Sequence, residues 1–316
     1  MKAATILKRI IVAILTALFV SFTAYALLYF SPGDPAELLL MEMTGGSGLQ
    51  MSVVKEYAEI LGTNKGLLPM YKNWFVKMIH MDLGTSYRTG RPVWYEFKIR
   101  FATSLSLAVM TSVISLVIGV SMGMLSAKYK NKFFDKLTRM ICAINMSIPS
   151  FWLAIVFMWV FVIKLRLAPM SGDMGFRSLI LPSCVMGLTG SSGLIRIVRI
   201  GILENLSAEY VVTLRAKGLS ESARFRKHIL RNISLSIVTM VTQNVVSLIG
   251  GSIIIENIFG LPGVGNYLIR SIQVKDFPVI LGFIFIMSLT VVILNLISEL
   301  VSYALDPRIR MEVYEK

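Results

Sequence analysis

Six stretches of the chain carry no Asp, Glu, Lys or Arg: residues 10–33, 101–127, 140–163, 178–195, 232–255 and 277–298. A helix rising about 1.5 Å per residue needs about 20 apolar residues to cross a hydrocarbon layer of about 30 Å. Every stretch but the fourth exceeds that length, and each predicts a membrane-spanning helix. The fourth is shorter and holds Gly187, Gly190, Ser191, Ser192 and Gly193. Its small and polar residues predict a further span that lines the interior of a helix bundle rather than facing lipid. The pattern is that of an all-α, polytopic membrane protein with six transmembrane helices.

Between the apolar stretches the chain divides into a tail (1–9), the first span (10–33), a long loop (34–100), a five-helix core (101–303) and a closing tail (304–316). The first stretch continues past Ala24-Tyr25-Ala26 through Leu27, Leu28, Tyr29 and Phe30. A cleaved signal has an apolar region of only about 7–15 residues, so this one reads as a retained span. The long loop opens with Ser31-Pro32-Gly33-Asp34-Pro35, which ends the first helix. It continues through a flexible stretch at Gly45, Gly46, Ser47 and Gly48, and then predicts helical pieces over 53–61 and 68–81. A glycine- and proline-rich turn, Gly260 to Gly265, leads into a short amphipathic stretch over 267–272.

Composition agrees with a membrane class. The chain is 55% hydrophobic and 16% charged, against about 25% charged in soluble domains. Its net charge of +14 suggests nucleic acid only until the cations are placed. Lys128, Lys130, Lys132, Lys136 and Arg139 follow the second span, and eight cations from Arg196 to Arg231 follow the fourth. Lys2, Lys8 and Arg9 precede the first span, and Arg308, Arg310 and Lys316 follow the last. Short loops on the other side carry few. The positive-inside rule puts both termini and the 205–231 loop in the cytoplasm. Topology thus accounts for most of the charge, and no nucleic-acid partner is expected.

Little else in the sequence carries chemistry. No GxxxxGK[ST] phosphate loop is present. Cys142 and Cys184 read as small packing residues, and His80 and His228 fall on opposite sides of the membrane. Glu256 and Glu299 stand at span ends and read as interfacial rather than as an ion pathway. Gly119-x-x-x-Gly123 permits close helix approach. An enzyme is not expected.

The exception is EYVVTLRAKGLSESARFRKHILRN, starting at Glu209. Ser207 is a candidate N-cap, with Glu209 in a first turn that favours an anion. Tyr210, Val211 and Leu214 supply apolar positions, Arg215 and Lys217 a basic last turn, and Gly218 a left-handed terminator. Ser220 then caps a second helix with Glu221 in its first turn. A first helix of about three turns is too short to be stable alone in water. It needs a surface, and two remain open: a partner protein, with Ala216 allowing close approach, or the lipid headgroups.

Arg215-Ala216-Lys217-Gly218-Leu219, preceded by Glu209-Tyr210-Val211, resembles the cytoplasmic "EAA" loop of permeases of the dipeptide/oligopeptide/nickel ABC importer family. The likeness runs nearly the length of the chain. It includes Leu28 to Pro35, Asp82-Leu83-Gly84-Thr85-Ser86, Thr89-Gly90-Arg91-Pro92-Val93, Gly250-Gly251 with Glu256, Phe259, Pro262-Gly263 and Gly265, and Leu305-Asp306-Pro307-Arg308. The sequence departs from the family at Ser236, where proline is usual, and at Leu261, where tryptophan is frequent. The segments 228–232 and 253–259 look closest to nickel or metal-chelate members.

This resemblance implies an ABC type I importer permease fold in the bacterial inner membrane. It also implies a second homologous permease subunit, two ATP-binding subunits and an extracytoplasmic solute-binding protein as partners. ATP would be bound by the partners, with no cofactor in this chain. The coupling residues it implies are Glu209, Tyr210, Leu214, Arg215, Ala216, Lys217, Gly218 and Leu219. Two alternatives differ in class: an ATPase-independent ion-coupled transporter or channel, and a membrane receptor or assembly protein with no transported solute.

Overall fold

The structure, a computed structural model, describes residues 3–45, 50–169 and 175–305. The expected stretch at Gly46, Ser47 and Gly48, the motif Asp306-Pro307-Arg308 and the side chain of Glu299 lie outside that description. The described chain is helical, with one isolated antiparallel bridge between Thr85 and Pro92. It forms two compact units. One takes residues up to 104 with 262–293, and the other takes 105–261 with the residues from 294.

The helices run in the order α1 (Ala3–Phe30), α2 (Pro35–Thr44), α3 (Met51–Leu61), α4 (Leu67–Ile79), α5 (Val93–Lys128), α6 (Phe133–Ser147), α7 (Ser150–Phe157) and α8 (Phe176–Leu206). They continue with α9 (Glu209–Ala216), α10 (Glu221–Arg224), α11 (Leu230–Ile258), α12 (Val264–Gln273) and α13 (Phe277–Leu305). Among the described residues four helices are long and apolar enough to cross a membrane, or up to six spans if each of two bent pairs is one. Four of the apolar stretches fall on unbroken helices, and the first and third fall on the bent pairs. α1 and α2 meet at 69° around the Ser31–Asp34 turn. The third stretch breaks by 100° between α6 and α7, where Ile148 and Pro149 interrupt the helix. A proline lacks the amide hydrogen that a continuing helix requires.

In the first unit, Asp34 caps α2 by accepting from the Ala36 amide at 2.7 Å, just ahead of Pro35 at the first helical position. The predicted helical pieces of the long loop are α3 and α4. Trp74 and Met78 of α4 pack into one cluster with Tyr25, Val93, Phe97, Tyr267 and Phe277. Two buried charges tie this unit together. The Lys275 ammonium donates to the carbonyls of Ser31 and Gly33, both at 2.6 Å. Asp276 accepts from the Ser86 hydroxyl at 2.6 Å and the Arg88 amide at 3.3 Å. Burial pushes the Lys275 pKa down, partly opposed by Asp34. Burial pushes the Asp276 carboxyl up, opposed by these hydrogen bonds. Motifs that are far apart in sequence are thereby pinned by two adjacent residues. The amphipathic stretch expected over 267–272 is α12, which buries Tyr267, Leu268 and Ser271.

The second unit is built around α8. In its most apolar window 61% of residues are buried, against 11–28% in the other three unbroken spans. This is the interior position that its small residues predict. A Cβ on Gly119 would sit 2.6 Å from Leu194, and one on Gly123 would sit 2.8 Å from Val198. The Gly119-x-x-x-Gly123 pattern therefore does bring α5 onto α8. A Cβ on Gly201 would meet Ile233 of α11 at 2.9 Å. Glu256 differs from its interfacial expectation. It is 0% exposed, and its carbonyl accepts from the Leu261 amide at 2.8 Å where the chain turns after α11.

Candidate functional site

The 205–231 segment folds as two helices around a left-handed glycine. α9 runs Glu209–Ala216, about two turns rather than three. The expected N-cap moves by one residue. Ser207 has helical backbone angles and ends α8, its hydroxyl donating to the carbonyls of Leu203 (3.2 Å) and Glu204 (3.0 Å). The extended residue before α9 is Ala208, which has no side chain for capping. Glu209 keeps its place in the first turn and Arg215 in the last. Gly218 has φ +75°, and a Cβ there would meet nothing within 4 Å. Its restriction is therefore the backbone conformation and not space. Ser220 caps the next helix by accepting from the Ala223 amide at 3.3 Å. From there α10, a π-helical turn (Phe225–Ile229) and α11 follow without a break. Ser236 lies inside that helix.

The inward face of α9 is fixed to its own unit. Val211 is 7% exposed and packs with Val198, Ile202, Ile229 and Ile233. The Tyr210 hydroxyl donates to Asn205 Oδ1 at 2.6 Å. Asn232 Nδ2 donates to Asn205 Oδ1 (3.1 Å) and to the Tyr210 hydroxyl (3.2 Å). Three side chains from α8, α9 and α11 thus close one hydrogen-bonded ring. α9 is thus tied to both long helices by bonds and packed atoms.

The outward face is open. Glu209, Arg215, Ala216, Lys217 and Gly218 are exposed, as are Val212 and Thr213. Among the described residues none of the three charged ones makes an ion pair. Leu214 and Leu219 are half-buried. All eight expected coupling residues therefore lie together on or beside one short helix, with Tyr210 turned into the unit. Sequence reasoning missed Asn205 and Asn232. Their only signal was an asparagine at each end of the charged loop, and no pattern tells that they share an oxygen.

A second polar cluster was also missed. Asp135 of α6 is fully buried. It accepts from Arg199 Nε (2.6 Å) and Nη2 (2.8 Å), the Ser126 hydroxyl (2.6 Å) and the Asn131 amide (2.9 Å). This forked pair joins α6 to α8. Cys142 and Cys184 are free thiols. Among the described residues no group of three or more His, Cys, Asp or Glu could hold a metal ion.

Residues 115–311 match the family described as binding-protein-dependent transport system inner membrane component. The chain belongs to that family. A putative peptide transport system permease protein of Brucella melitensis is 32% identical over 99% of this chain and 100% of its own length. The metal-staphylopine import system permease protein CntB of Staphylococcus aureus is 32% identical over 96% of this chain and 97% of its own. The glutathione transport system permease protein GsiC of Escherichia coli is 32% identical over 96% and 98%. A solved structure of the MetNI methionine ABC transporter, in an inward-facing conformation, aligns with a TM-score of 0.55 at 16% identity. It covers 67% of this chain and 97% of that one, a likeness of fold. The inner-membrane component is thus a multi-pass helical permease with an ABC importer fold.

Proposed function

We propose that this permease subunit imports a small peptide or a metal chelate, in an assembly driven by separate ATP-binding subunits. The observation that carries the reading is α9: a helix locked inward by Val211 and the Tyr210–Asn205–Asn232 ring, with an unpaired, charged outward face. Two turns of helix this polar do not persist in water by themselves. Held in place, they form a rigid contact for another protein. ATP binding would close the partner ATPases, press α9, and tilt α8 and α11 together, so that the bundle opens alternately to each side.

The roles divide by face. Glu209, Arg215 and Lys217 supply polar docking contacts. Ala216 allows close approach, and Leu214 and Leu219 supply apolar surface beside it. Gly218 holds the sharp exit that lets α9 lie apart from α10. The 205–231 loop and both termini are then cytoplasmic, and a solute-binding protein delivers cargo from the opposite side to this subunit and a second homologous permease. The peptide or chelate cargo is suggested by what the relatives are named for.

Gly218→Val tests the reading. A β-branched residue at φ +75° is strained by about 1–2 kcal/mol, and relief of that strain would turn α9. The expected result is normal membrane insertion with ATP-driven uptake lost. Normal uptake by the variant would refute the assignment of the hinge.

A further inference from the structure

Beside α9, lined from both sides of its hinge by Arg215 and Glu221, lies an open groove of about 750 Å³, within the range of about 300–1,000 Å³ usual for ligand pockets. Its floor is apolar, formed by Met124 of α5, Ile202 of α8, Val211 of α9 and Ile229 ahead of α11. Three further apolar residues of its wall stay uncovered: Leu125 is 40% exposed, Leu206 48% and Val212 67%. Three cations line it, Lys128 at the end of α5, Arg215 and Arg224, against one carboxylate, Glu221. Among the described residues none of these cations has an acidic side chain within ion-pair distance. The Nε of Arg224 is shielded from solvent and has no hydrogen-bond partner. A guanidinium donor enclosed without an acceptor is costly, and an anion removes that cost.

An apolar trough ending in Lys128 and Arg224, which have no acidic partner among the described residues, at the end of a membrane-spanning helix, has the chemistry of an acidic lipid and its acyl chain. We propose that the groove holds an anionic phospholipid, with its phosphate between Lys128 and Arg224 and one acyl chain along the trough, leaving Arg215 at the rim for the partner contact. The lipid would then wedge between α5 and α9 and bear on the helix that receives force. This regulatory role rests on the reading of α9 given above, whereas occupancy of the groove does not.

The test uses the whole importer complex in nanodiscs of phosphatidylcholine doped with a photoactivatable phosphatidylglycerol whose label sits on the acyl chain. Illumination is expected to label peptides containing Leu125, Leu206 or Val212, with unlabelled phosphatidylglycerol competing and phosphatidylcholine not. Each cation near an anionic lipid strengthens binding about fivefold, so Lys128→Gln with Arg224→Gln should cut labelling about 25-fold. Ser121→Trp, which fills the groove without changing charge, should cut it as well. Labelling spread evenly over the bundle would overturn the proposal. So would equal competition by phosphatidylcholine, displacement by oleate or inorganic phosphate as effective as by phosphatidylglycerol, or crosslinks showing this wall covered by an ATPase subunit. Labelling is read without ATP hydrolysis. A thiol crosslink from Thr213→Cys to the ATPase reports the coupling reading separately, so that either idea can fail alone.

Discussion

Two basic loops of the second unit look alike in sequence and differ in use. Residues 128–139 and 205–231 are both rich in Lys and Arg, as the positive-inside rule demands of loops on one side. In the first, the chain closes on Asp135, which is fully buried and held by Arg199, Ser126 and the Asn131 amide. In the second, Glu209, Arg215 and Lys217 stay exposed and unpaired among the described residues. Topology requires the charges and leaves their use open. Those turned inward join helices, whereas those left outward on a helix that cannot move independently are available to a partner.

The sharpest way to break this contrast is at Arg199. Its removal leaves the buried Asp135 carboxylate with only the more distant Arg139, 3.7 Å away, as an ionic partner, so the cost approaches that of a broken buried pair, about 3–5 kcal/mol. Arg199→Ala should therefore unfold at markedly lower denaturant or temperature in detergent, and Asp135→Leu with Arg199→Leu should recover part of the loss. Arg215→Ala in the same assay should not shift. Equal sensitivity of the two arginines would erase the distinction.

Glycines draw the same line at smaller cost. A Cβ on Gly123 would meet Val198 and the Ile195 carbonyl, so Gly123→Leu overpacks α5 against α8 and costs about 1–3 kcal/mol. A Cβ on Gly218 would meet nothing within 4 Å. Gly218→Ala meets only its backbone angle, about 1 kcal/mol, and should depress uptake more than stability. Thermal melts and uptake of the two variants, measured side by side, should rank oppositely.

The spans were legible because each is a run without charge, and the interior place of α8 was legible because Gly187, Gly190 and Gly193 have no other use on a lipid-facing surface. The 100° break at Ile148-Pro149 was hidden inside a run that hydropathy scores as continuous. Gly218 could be read because a left-handed residue after a basic turn is a local signal, and φ +75° bears it out. Ser207 misled because serine also ends helices by donating to earlier carbonyls, as it does here. Asp135–Arg199 and Tyr210–Asn205–Asn232 were illegible for one shared reason. Each is a pairing across helices whose register the sequence does not print.

Tyr210→Phe probes the inward face of α9 more gently. It removes the hydroxyl that bonds both Asn205 and Asn232, each bond worth about 0.5–1.5 kcal/mol, and leaves the direct Asn232–Asn205 bond. Val211 still packs, so the helix should persist while its grip on α8 and α11 loosens. The expected signature is ATP hydrolysis that continues with less uptake per ATP. A variant with unchanged uptake per ATP would show that Val211 alone transmits the force.

The smallest change in stability is expected at the outward charges, where the comparison is most exposed to refutation. Arg215→Gln with Lys217→Gln alters two solvated side chains that lack ion-pair partners among the described residues. Surface substitutions of this kind stay within about 0.5 kcal/mol. If the charges meet an ATPase, the double variant should assemble more weakly, and the deficit should shrink as salt is raised, because screening already weakens the wild-type contact. If they only rest on headgroups, assembly with the ATPase should be indifferent to both mutation and salt. Stability held constant while assembly falls is the outcome that separates a surface built for a partner from one merely left in water.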